Sequence, residues 1–155
     1  MKAVQLNLIL AWTWILLGFL TGLLMGLFFH RENWLGGYGS HQRRLYRLGH
    51  ISFFGLGVVN LCFFLTAQPI GMAGTPLTIA SWSFVIGAIS MPLCCLAMAH
   101  FPRSHSFFGI PVISLLVGGA LMVFAVARPP TGRVSNSPLP DNATELQSSA
   151  NQLSN

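Results

Sequence analysis

The amino-acid sequence predicts an all-α integral membrane protein, in which four transmembrane helices form an up-down bundle ahead of a disordered polar C-terminal tail. Three observations predict it. Only 7% of the 155 residues are charged and 53% are hydrophobic, whereas soluble domains carry roughly 25% charged residues. The uncharged runs are long enough to cross a bilayer, which takes about 20 residues at a rise of 1.5 Å each. Four of the eight basic residues, Arg31, Arg43, Arg44 and Arg47, crowd into one short segment between two such runs, as in loops kept on the cytoplasmic side.

The first uncharged run extends from Ala3 to Phe29 and is closed by Arg31 and Glu32. A secretory signal core has only about 7–15 apolar residues, so this run reads as a retained first helix with its span near 8–29. Charges stop again after Arg47 and return at Arg103, too far apart for a single crossing. Segment 67–76 contains Pro69, Gly71, Gly74 and Pro76, which cannot continue a helix and favour a turn. Spans at 48–66 and 77–99 follow. Ser40, just ahead of the second apolar run, is suited to cap its helix.

The fourth span, 107–127, is ended by Arg128, Pro129 and Pro130. Pro111 falls in its first turns, where a missing amide donor matters little. Residues 1–127 thus make one membrane domain. Residues 128–155 are rich in Ser, Asn, Pro and Gln, and with so little to bury they cannot offset the entropy of ordering. Disorder is expected there.

Charge sets the expected topology. Arg31, Arg43, Arg44, Arg47 and Arg103 fall on one side, and Lys2, Arg128 and Arg133 on the other. The positive-inside rule places the first group in the cytoplasm and both termini outside, in the cell membrane or the inner membrane of a Gram-negative cell. The net charge of +5 is then explained by the bilayer, and nucleic acid is not an expected partner. Trp12, Trp14 and Trp82 fit one interfacial belt and Trp34, Tyr38 and Tyr46 the other.

Three groups of residues are candidates for function. Gly18, Gly22 and Gly26 recur every fourth position and leave a helix strip without side chains, where another backbone can approach closely. The five histidines gather on the cytoplasmic side: His30 after the first span, His41 in the loop, His50 opening the second span, His100 closing the third and His105 before the fourth. Bundles build haem and metal sites from facing side chains at one level, which makes His50 and His100 the candidate axial pair for haem b. Arg43 and Arg47 share a helix face with His50 and suit the propionates. Their charge also favours the neutral imidazole that ligates metal. His30 and His105 complete a possible metal set.

The third group is Met91, Cys94, Cys95 and Met98, whose spacing lines one helix face with soft ligands suited to Cu(I). The same residue types are ordinary apolar fillers. Cys62 lies at a different expected depth, so a disulfide with Cys94 or Cys95 is not expected.

The only acids are Glu32, Asp141 and Glu145, none within an expected span. Ion-coupled transporters place ionisable groups along their path, and hydrolases need a base with an orienting partner, so neither class is favoured. The leading expectation is a small non-enzymatic inner-membrane protein, an accessory, assembly or structural subunit acting on other membrane subunits through helix contacts. A haem- or metal-binding redox protein is the alternative, and a small copper carrier the third.

Overall fold

The computed structural model describes residues 2–101 and 107–127. The described chain is helical: α1 is Lys2–Phe29, α2 His41–Ala67, α3 Gly74–His100 and α4 Gly109–Ala127. Each is long and apolar enough to cross a membrane, and the protein is a multi-pass membrane protein. The tail 128–155, expected to be disordered, lies outside the described residues, as do Arg103 and His105.

The helices outrun the expected spans where polar residues begin. α1 starts six residues before 8–29, because Gln5 and Asn7 are compatible with a helix end. α2 starts seven residues before 48–66, so Arg43, Arg44 and Arg47 stand on its first two turns, Arg43 and Arg47 on the helix they were expected to share with His50. The Ser40 side chain explains that start, since it accepts the Arg43 amide at 3.2 Å as the expected N-cap. α3 begins at Gly74, whose φ of +70° and that of Gly71 at +66° make the turn that segment 67–76 predicted. α4 starts at Gly109, after a single 3₁₀ turn at Phe107 and Phe108.

Consecutive helices pack on one another, and α1 also meets α3. Paired residues show the directions: Asn7 meets Asn60 and Thr21 meets His50, so α1 and α2 run antiparallel. Ser114 donates to the Ser83 carbonyl and Gly118 lies under Phe84, so α3 and α4 do too. One core cluster of Phe63, Ala67, Ala80 and Phe84 joins α2 to α3, with Leu115 and Met122 of α4 beside it. A second, Leu45, Met98 and Ala99, closes the opposite end of α2 and α3.

Close approach is purchased by glycine at the tightest points. A Cβ on Gly57 would lie 3.1 Å from the Ala11 carbonyl, and one on Gly87 only 2.6 Å from the Leu115 side chain. Burial grades outward from α3: half of its most apolar stretch is buried inside the chain (50%), against 11% for α1 and for α4. α3 is therefore central, and α1 and α4 face lipid.

Candidate functional site

At one end of the bundle, three helices meet through buried polar side chains. Asn7 donates to the Asn60 side-chain oxygen at 2.8 Å and lies 3.3 Å from the Ser81 carbonyl. Ser81 returns its hydroxyl to the Asn7 side-chain oxygen and lies 3.1 Å from the Ala3 carbonyl. Asn60 gives its own amide to the Leu56 carbonyl at 2.8 Å. Asn7 and Asn60 are fully buried, and an unsatisfied amide in hydrocarbon costs several kcal/mol, so these bonds hold α1, α2 and α3 in one register.

Two turns further along, Trp14 of α1 donates its indole N–H to the Ala88 carbonyl of α3 at 2.9 Å. Beyond this contact α1 and α3 are no longer joined by any hydrogen bond among the described residues. A cavity of about 350 Å³ opens between them with α2 as its floor. Its wall includes Thr21 and Phe28 of α1, Tyr46 and His50 of α2, and Pro92 and Leu96 of α3.

His50 is the main polar group of that wall. Its Nδ1 lies 3.0 Å from the Thr21 hydroxyl, which itself lies 2.8 Å from the Leu17 carbonyl. The hydroxyl has one proton. Given to Leu17, it leaves the oxygen free to accept from Nδ1–H, making two hydrogen bonds; given to Nδ1, it makes one. The first arrangement is favoured where unmade bonds are costly, and it leaves Nε2 as a bare acceptor. Nε2 has no hydrogen-bond partner among the described residues.

The glycine strip positions this ring. A Cβ on Gly22 would lie 2.9 Å from His50 Cε1, and one on Gly18 would lie 2.8 Å from the Phe54 ring, while Gly26 has nothing within 4 Å. The strip's two occupied positions thus receive side chains of α2, stacked edge to face with ring centroids 5.5 Å apart.

Trp34 brings segment 31–40 to the cavity wall, and Arg43 shapes that segment. Its guanidinium is fully buried: Nε donates to the Trp34 carbonyl at 2.6 Å, and Nη2 donates to the carbonyls of Arg31 and, at 3.1 Å, Glu32. The rings of Tyr38 and Phe29 lie 4.6 and 5.4 Å from its Cζ, supplying cation–π attraction. Leu35, held between these contacts, adopts a left-handed φ of 52°. Its carbonyl accepts the Ser40 hydroxyl.

The remaining candidates are spread more widely. His100, at the exposed end of α3, places Nε2 3.0 Å from the Tyr46 hydroxyl. Arg47 is exposed, with its guanidinium 5.7 Å from the Phe29 ring. His30 and His41 are exposed. Among the described residues, no three His, Cys, Asp or Glu gather as a metal site. The sulfurs face different neighbours: Cys94 points its thiol at the Phe107 carbonyl, 3.4 Å away, Cys95 lies against Gly49, and Met98 packs on Leu45. All three cysteines are free thiols.

Sequence reading missed the asparagines, the consequence of Pro92 and the caging of Arg43. Single asparagines inside apolar runs were the available signal for the first.

Comparison of the chain with known protein families, curated proteins and solved structures finds no match.

Proposed function

We propose that the chain is a non-enzymatic accessory or structural subunit of a membrane assembly, acting through helix contacts within the bilayer. The observation that carries this reading is the fate of the buried polar groups in the spans. Asn7, Ser52, Asn60 and Ser81 all bond to the chain's own atoms, and no acid stands among them. Asn7, Asn60 and Ser81 join α1, α2 and α3, and Ser52 bonds within α2.

The outer face of α4 suits a helix of another subunit. A shallow apolar groove there is lined by Val112, Leu115, Leu116, Gly119 and Ala120. Gly119 has nothing within 4 Å of where a Cβ would stand, and small residues beside leucines let helices approach closely in lipid. In this reading the helices alternate up and down through the inner membrane, with Arg31, Arg43, Arg44 and Arg47 in the cytoplasm and both termini outside.

Co-purification in mild detergent tests the reading. The wild-type chain brings down a stoichiometric membrane partner, and Gly119→Leu loses it without lowering the chain's own melting temperature. A chain that purifies alone from its native membrane contradicts the proposal.

A further inference from the structure

We infer that the cavity between α1, α2 and α3 is a binding site for a lipid-soluble phenol or hydroquinone headgroup, which enters from the bilayer and donates its hydroxyl to Nε2 of His50. This site takes no part in the subunit contacts proposed above and stands on separate observations.

The first observation is access. The Asn7–Ser81 and Trp14–Ala88 bonds tie α1 to α3 at one end. Toward segment 31–40 the two helices leave the cavity between them, flanked by Leu24 and Leu96, which are 48% and 38% exposed. Both exposed faces belong to membrane-spanning helices, so the mouth opens to lipid. An apolar tail remains in the bilayer while its headgroup occupies the cavity.

Hydrogen-bonding capacity narrows the ligand. Thr21 is engaged with Leu17 and His50, and the Tyr46 hydroxyl with His100. His50 Nε2, an acceptor, and the Trp34 indole N–H, a donor, have no partner among the described residues, and the ligand must bring an N–H or O–H to satisfy the first. No lysine or arginine lines the cavity, so an anionic headgroup finds no countercharge.

Ring chemistry narrows it further. Phe28, Trp34, Tyr46 and Phe53 all face the cavity, and Phe28 stacks on Trp34 at 6.0 Å with an interplanar angle of 16°. Aromatic walls favour an aromatic guest in offset or edge-on packing. A phenol also donates a stronger hydrogen bond than an aliphatic alcohol, because its oxygen is the more acidic. A volume of about 350 Å³ is at the small end of ligand pockets, right for one or two fused rings and too small for the tail as well.

The test uses the full chain in lipid nanodiscs with ¹⁵N-labelled histidine, titrated with 4-octylphenol, 4-octylanisole and 1-dodecanol. The expected result is a saturable shift of one acceptor imidazole nitrogen with the phenol, missing from the His50→Gln spectrum. The anisole, which lacks the donor, and the alcohol, which lacks the ring, should each bind at least about tenfold more weakly. Leu96→Trp fills the mouth and should abolish the shift while leaving the His50 resonance of the free protein in place. Equal binding of phenol and anisole means partition into an apolar space and overturns the site. Equal binding of the alcohol overturns the phenol class, and an undiminished shift in Leu96→Trp overturns the location.

Discussion

Trp14 and Ala88 are joined by an indole N–H donating to a backbone carbonyl at 2.9 Å, and that carbonyl is the one Pro92 leaves without a helical donor. In an α-helix the amide of residue 92 would bond the carbonyl of residue 88. Proline has no amide. α1 therefore supplies from outside the donor that α3 lacks, and a local defect becomes a contact between helices.

This relationship predicts a double-mutant signature. Trp14→Phe keeps a ring against Phe53 but removes the donor, and should lower stability by about 1 kcal/mol. In a Pro92→Ala background, where the backbone amide restored by the substitution can bond the Ala88 carbonyl, the same change should cost little. Thermal melts of the four proteins in one detergent check it; equal losses in both backgrounds show that the bond is not coupled to the proline.

The asparagine junction should behave as a unit. Asn60→Leu leaves Asn7 without its side-chain acceptor and should destabilise by roughly 0.6–1.7 kcal/mol, the range of interhelical hydrogen bonds in membranes. Asn7→Leu combined with Asn60→Leu should cost less than the sum of the single changes. Strict additivity in unfolding titrations counts against a shared network.

Gly22 and Gly26 occupy one strip but differ in surroundings, so alanine should separate them. Gly22→Ala places a methyl 2.9 Å from the His50 ring, forces the imidazole off Thr21, and should cost about 1–3 kcal/mol by overpacking. Gly26→Ala meets open space and should be neutral or gain up to about 1 kcal/mol of helix propensity. Matching melting temperatures for the two variants would contradict this placement.

Arg43→Lys tests the loop cage. A lysine cannot span the carbonyls of Arg31, Glu32 and Trp34 together, and loss of one charged hydrogen bond costs roughly 1.5–3 kcal/mol. Amide exchange across 31–40 should quicken about tenfold or more, while amides near Asn7 and Ser81 keep their rates. A uniform change along the chain indicates global destabilisation and not a local lock.

Topology has a direct readout. A reporter active only in the cytoplasm should be silent when fused after Asn155 and active when inserted at Gly37. The reverse pattern inverts the orientation proposed from the arginines.

Much of the fold was legible because membrane helices announce themselves by length and by what interrupts them. Pro69, Gly71, Gly74 and Pro76 marked the turn between α2 and α3, and Ser40 marked the start of α2. Arg43, Arg44 and Arg47 made the expected span shorter than α2 itself, because charge marks where the hydrocarbon ends and not where a helix does. Pro92 gave no sign, since proline inside a membrane helix is tolerated when a neighbour re-satisfies the freed carbonyl, and that neighbour lies 74 positions away from Ala88. His50 stood out as a candidate, but its partner Thr21 and the cavity beside it depend on how α1 and α3 diverge. No local pattern encodes that divergence.

The polar junction also bears on how the protein is made. A ribosome delivers α1, α2 and α3 in turn, so Asn7 enters the membrane before Asn60 and Ser81 exist. With 28 residues, α1 is about 42 Å long against a hydrocarbon core of roughly 30 Å, which leaves Asn7 near the headgroups, where water can solvate it while it waits. Asn60 arrives next and finds its acceptor role already matched by Asn7. Only the insertion of α3 completes the set. A hairpin that inserts out of register leaves an amide without its partner, so the junction favours the native arrangement of the three helices over the rest.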